Sequence, residues 1–181
     1  MTSGSFTLSR TWRRITLITH IVSAGAWIGI DVMVAVLVGV GWFGADTGVR
    51  GLAYQALGTF VVWPMLTSGL ICLITGVVLG LGTKFGLLRY WWVAVKLALN
   101  LLLCTLIVVL LQPGMDEVAA YGRDLPQGTT DPSTVSSLFF PPAVSLTTLT
   151  IATILAVVKP WGRIAATPGR SRNYARHDIG R

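Results

Sequence analysis

Charged side chains are scarce in this sequence: they make up 12% of its 181 residues, against about 25% in a typical soluble domain. That deficit argues against a water-soluble globule before any segment is considered. Cysteine is nearly absent as well. Cys72 and Cys104 are the only two, with neither metal-type spacing nor the pattern of a secreted disulfide framework. Both lie inside apolar runs, where a free cysteine behaves as a small buried hydrophobe. No internal repeat is visible.

Apolar residues are abundant, at 53% of the chain, and the length suits one domain. The net charge of +7 would suggest a nucleic-acid partner in a soluble protein. Here the basic residues sit at the edges of apolar runs, where they act as orientation signals and as contacts to anionic lipid headgroups. No nucleic-acid partner is expected.

Four apolar runs stand out, at 15–43, 59–82, 90–111 and 139–158. Each approaches or exceeds the roughly 20 residues that a helix needs to cross a hydrocarbon core about 30 Å thick. Inside lipid every backbone hydrogen bond must be satisfied within the segment, which forces helix. The expected fold is therefore all-α, an integral membrane four-helix bundle over 15–158. A cytoplasmic N-terminus (1–14) and a basic cytoplasmic tail (159–181) would flank it. The first run also carries Ala24-Gly25-Ala26, the small-residue form of a signal peptidase site, after Arg10, Arg13 and Arg14. Its apolar stretch continues to Phe43, too far for a signal peptide, so a retained span is expected.

Basic residues set the orientation. Eleven fall on one side: Arg10, Arg13, Arg14, Lys84, Arg89, Lys159, Arg163, Arg170, Arg172, Arg176 and Arg181. The other side carries Arg50 and Arg123, and Lys96 lies within a span. The positive-inside rule then places both termini in the cytoplasm and the protein in the plasma (bacterial inner) membrane. The short segment 83–89 reads as a tight cytoplasmic turn. The segment 112–138, rich in Pro, Gly, Ser and Thr, reads as a flexible outer cap or lid. Trp12, Trp42, Trp91, Trp92 and Trp161 fall near span ends, as in an interfacial aromatic belt. Trp27 falls mid-span.

Ionisable groups inside a span are costly and are candidates for function. There are three: His20 and Asp31 on the first run and Lys96 on the third. At 1.5 Å per residue His20 lies about 9 Å above Arg14, and Lys96 about 10 Å above Arg89, so the two should be level. Asp31 lies about 25 Å above Arg14, too far from Lys96 for an ion pair and alone in the outer half. On the first helix His20, Ser23, Trp27 and Asp31 form one polar stripe, and on the third Lys96, Asn100 and Cys104 share a face. Thr75 and Thr150 fall near the same level as His20. A polar layer of His20, Lys96, Asn100, Thr75 and Thr150 is expected within the bundle. The plainer alternative has Lys96 snorkelling to the headgroups and His20 bonded to a neighbouring carbonyl.

The stretch Thr19-His20-Ile21-Val22-Ser23-Ala24-Gly25-Ala26-Trp27-Ile28-Gly29 resembles the first helix of the DUF2269-type membrane proteins. Their wider relatives include the CopD-like domains and the HemJ-type protoporphyrinogen oxidases. Pro64, Gly69 and Thr75-Gly76 are similar to that group's second helix, and Trp92 followed by Lys96-Leu97 is similar to its third. The resemblance spans roughly 15–111. It implies a b-type haem (haem b) held by His20 and Lys96, with Trp27 and Asn100 beside it, serving electron transfer or redox chemistry. A lysine ligand must bind as the neutral amine. The Met and His clusters of a copper path are missing, since Met33, Met65 and Met115 are scattered.

Two other readings stand beside this one. Asp31 and Lys96 would mark a proton or ion path in a small coupled transporter. Alternatively, the bundle would be a non-catalytic subunit, packed as a homo-oligomer or in a larger membrane complex.

Overall fold

The computed structural model describes residues 8–82, 90–128 and 131–158. Among them there are helices and no strand. The expected turn at 83–89 and the basic tail beyond 158 lie outside the described residues.

Helix α1 runs Arg10–Phe43, capped by the Ser9 side chain, which accepts from the Trp12 amide. Its 34 residues give about 50 Å of helix at 1.5 Å per residue, longer than the hydrocarbon core of about 30 Å. The chain turns at Gly44, and Asp46 caps α2 (Thr47–Phe60) by accepting from the Val49 amide at 2.8 Å. After a bend at Val61, α3 (Val62–Leu81) continues. Pro64 explains the bend. It has no N–H for the Phe60 carbonyl, and its ring crowds that carbonyl, so the helix breaks just before it.

Helices α2 and α3 therefore form one bent rod that returns along α1. Gly41 faces Tyr54, Trp27 faces Gly69 and His20 faces Gly76, a single antiparallel register kept from one end to the other. Helix α4 (Trp91–Leu106) opens the next rod. It widens into a π-turn at Ile107–Leu111, where the Gln112 amide reaches the Ile107 carbonyl. Pro113, which cannot donate to the turn before it, accounts for the widening. Helix α5 (Met115–Asp124) follows, and Gly128, at φ 74°, turns the chain in the left-handed region. Helix α6 (Phe140–Val158) completes the set, with Pro141 and Pro142 in its first turn, where a missing N–H costs little.

The segment 112–138 is thus mostly helical, not a flexible cap. Its prolines and glycines sit at turns, and between them Met115, Val118, Ala119, Tyr121 and Gly122 form a buried stripe. That stripe packs on α2, in the most extensive helix contact after which α1 on α3 ranks next. Gly51 lies against the Gly122 carbonyl, and Gly58 against Met115 and Ala119, so the two backbones nearly touch. The Tyr54 and Tyr121 rings meet edge to face at 5.2 Å. Burial pushes the Tyr54 hydroxyl above its ordinary pKa, with Tyr121 adding to the shift and Arg50 opposing it.

Among the described residues, four helices are long and apolar enough to cross a membrane: Arg10–Phe43, Val62–Leu81, the rod Trp91–Gln127, and Pro132–Val158. Their outward faces are apolar, for example Ile18, Ile21, Ile74, Leu102 and Val157, as contact with lipid requires. The chain is a multi-pass membrane protein. Helices α1, α3, α4 and α6 form a ring in that order, α6 closing on α1, so α1 and α4 stand on a diagonal. We call the end where α1 begins and α6 finishes proximal, and the end bearing α2 and α5 distal.

Candidate functional site

Two glycines on α3 make room for two large side chains on α1. A Cβ on Gly69 would lie 2.9 Å from the Trp27 ring, and one on Gly76 would lie 3.2 Å from Cε1 of His20. The glycines are seven residues apart, as are His20 and Trp27, so two turns of one helix match two turns of the other. Trp27 is fully buried, and its indole N–H finds no acceptor. Cys104 on α4 approaches the same glycine from the far side.

His20 is half-buried. Its Nδ1 lies 3.0 Å from the Cys72 carbonyl and 3.0 Å from the Thr75 hydroxyl. The Thr75 hydroxyl donates at 2.6 Å to Ile71. A carbonyl can only accept, so Nδ1 carries the proton and donates to Cys72, which leaves the lone pair on Nε2. Ser23, one turn on, donates to the His20 carbonyl at 3.0 Å. The Cys72 thiol stands 3.7 Å from Nδ1.

Lys96 comes from the diagonal helix. Its Nζ rests over the Trp92 ring, 5.1 Å from the centroid, a cation–π pair between residues one turn apart. It lies within electrostatic reach of both His20 and Cys72. Asn100 is half-buried, and its Oδ1 accepts from the Cys104 thiol at 3.5 Å. The structure therefore gathers His20, Ser23, Cys72, Thr75, Lys96 and Asn100 into one polar layer, with Trp27 as its distal roof.

Two expectations are corrected. Thr150 is exposed, and its hydroxyl donates to Leu146 of its own helix, so it does not join the layer. Because Ser145 on the same helix meets Asp31, Thr150 also stands about 9 Å above His20 by helix rise. Asp31 is not alone either: it is buried, and the Ser145 hydroxyl of α6 donates to its Oδ2 at 2.7 Å. Its Oδ1 is buried with no partner. Asp31 and Ser145 tie α1 to α6 about 16 Å above His20 by helix rise, separate from the polar layer.

Cys72 and Cys104 are buried core residues, as expected, and both also border the layer. The His20/Trp27 and Gly76/Gly69 spacings were the signal that would have found their neighbourhood. Ser145 had no such signal.

A haem supplies four nitrogen donors itself, so the protein needs to provide only axial ligands. His20 suits that role: the bond that fixes the Nδ1 proton is the usual partner of a ligating imidazole. Lys96 would supply a second donor only as the neutral amine, away from its contact with Trp92. Among the described residues no three His, Cys, Asp or Glu side chains converge as in a protein-only metal cage. No family model, characterised protein or solved structure matches the chain.

Proposed function

We propose that this membrane protein holds one b-type haem in the proximal polar layer, where His20 and Lys96 would bind it, and serves electron transfer or redox chemistry. The observation that carries the reading is the bond from His20 Nδ1 to the Cys72 carbonyl, which leaves Nε2 as the free donor of a half-buried imidazole. Bound there, the haem iron would cycle between ferric and ferrous states. The chain's own part is to orient. Thr75 and Cys72 fix the imidazole, and Trp27 closes the layer against the distal half; Lys96 would leave the Trp92 ring to bind. With the basic flanks in the cytoplasm, the layer lies in the inner half of the plasma membrane. The resemblance of the first and third helices to the HemJ-type group favours the same two ligands.

The test is an optical spectrum of the protein purified from haem-replete cells. A Soret band that is lost in His20→Ala and weakened and shifted in Lys96→Ala is expected. A colourless protein, or full haem content in both variants, overturns the reading.

A second reading has one observation in its favour, the buried Asp31 carboxylate with an unpartnered oxygen. In that reading Asp31 marks a proton or ion path. Asp31→Asn would then abolish pH-coupled uptake into vesicles, with haem content nil throughout.

A further inference from the structure

Two buried polar atoms on α1 are used neither by the polar layer nor by the tie to α6. Trp27 is 0% exposed and Asp31 1%, yet the Trp27 Nε1–H and the Asp31 Oδ1 have no hydrogen-bond partner among the described residues. One is a donor and the other an acceptor. A buried polar atom left unpaired bears its full desolvation cost, and hydrocarbon offers it nothing.

The two residues are four apart on one helix, so they share a face, with Cβ atoms about 5–6 Å apart. Side chains lean toward the N-terminus of their helix, which brings the Asp31 carboxyl back toward the level of Trp27. Other contacts hold each residue in place. The tip of the Trp27 ring lies on Gly69, with the Cys104 sulfur close to the same glycine. Ser145 donates to Oδ2 of Asp31 at 2.7 Å. Neither Nε1 nor Oδ1 takes part in these contacts, and no direct bond joins the two. Two hydrogen bonds of about 2.9 Å through one water bridge roughly 5 Å, the scale of this one-turn separation.

A neighbouring void gives the contrast. About 20 Å³ lies one turn further out, beside Val34 and Pro142, and its lining is apolar. It has room for a water but no polar partner to hold one, and such voids stay dry. The orphaned donor and acceptor have the partners that the void lacks.

We propose that α1 binds one internal water between Trp27 and Asp31. The indole N–H donates to the water oxygen, and the water donates to Asp31 Oδ1. The Ser145 oxygen, which keeps its lone pairs while donating to Oδ2, offers the second water proton a third partner. The water reaches Oδ1 alone, so Oδ2 still depends on Ser145. The inference uses no haem ligand and no titration, so it stands or falls apart from both functional readings.

Nuclear magnetic resonance of the full chain in detergent, labelled with 15N at the tryptophan indoles, tests it. The Trp27 indole signal is identified by its loss in Trp27→Phe. In the wild-type protein its N–H proton should show a cross-relaxation peak to water with the sign of a long-lived bound molecule. Asp31→Leu should abolish that peak and move the indole proton upfield. Asp31→Asn, which keeps an amide oxygen in the same place, should retain the peak. A wild-type Trp27 indole with no peak to water overturns the proposal, whether its proton is free or bonded directly to the carboxyl. A peak undiminished in Asp31→Leu also overturns it.

Discussion

None of the first thirteen residues of α1 and none of residues 91–102 of α4 is buried, whereas beyond them the pattern changes on both helices. From Ser23 onward α1 buries Trp27, Asp31, Val34, Val38 and Gly41. On the other rod Leu103, Cys104, Ile107, Met115 and Val118 join the same core. Where α1, α2, the π-turn and α6 meet, the packing leaves a void of only about 20 Å³ with an apolar lining. The distal half therefore completes itself with its own side chains. The proximal half leaves His20, Lys96 and Asn100 half-buried between helices, and polar groups at that depth need company in a bilayer. The buried core lies at one end of the bundle and these half-buried polar residues at the other.

Trp27→Ala gives the largest test of this division. It empties a fully buried site among the described residues and should cost about 3–5 kcal/mol, read by thermal unfolding in detergent. A cost under about 1 kcal/mol, of the size expected for a surface change, would break the claim that the distal core begins there.

The paired glycines sharpen the comparison. Gly69→Ala places a methyl between the buried Trp27 ring and the Cys104 sulfur and should cost about 1–3 kcal/mol. Gly76→Ala meets only the edge of a half-exposed imidazole. It should cost less in stability while disturbing any spectrum that depends on His20. If the two variants destabilise equally, the proximal half is as tightly built as the distal half.

Ser145→Ala tests the tie between α1 and α6. It removes the one hydrogen bond to Asp31 and should cost about 1–3 kcal/mol, because the carboxyl is left buried without a partner. Asp31→Asn paired with Ser145→Ala should be less than additive, which a double-mutant cycle in thermal unfolding would measure.

The smallest effect belongs to the connection before α6. Backbone and side-chain bonds from Ser133 hold the exposed Asp131 carboxyl below the ordinary carboxylate pKa. A depressed folded pKa means the stabilisation is whole above the unfolded value of about 3.9 and fades as pH falls through the folded one. The Ser133 amide resonance should therefore be constant from neutral pH to about 4 and move below it. Asp131→Asn should remove that movement.

Much of this organisation was legible in the chain. The run lengths required membrane-crossing helices, because lipid leaves an apolar segment of that length no other way to satisfy its backbone. Helical spacing put His20, Ser23, Trp27 and Asp31 on one stripe, and a fixed rise per residue put His20 level with Lys96. The distal helices were harder to see. The sequence of α5 is polar on one side and turn-rich at both ends, and its buried stripe becomes meaningful only once α2 is there to receive it.

What the sequence determined alone were properties of single spans: the number of apolar crossings, their length, and which residues share a stripe on one helix. These follow from local geometry and from the solvent. Which faces meet was decided by the tertiary structure. Thr150 points outward and Thr75 reaches His20, because rotation about a helix axis is fixed by its neighbours. The same packing turned Asp31 from a solitary charge into the partner of Ser145, and set Gly69 and Gly76 against the two side chains that need their space.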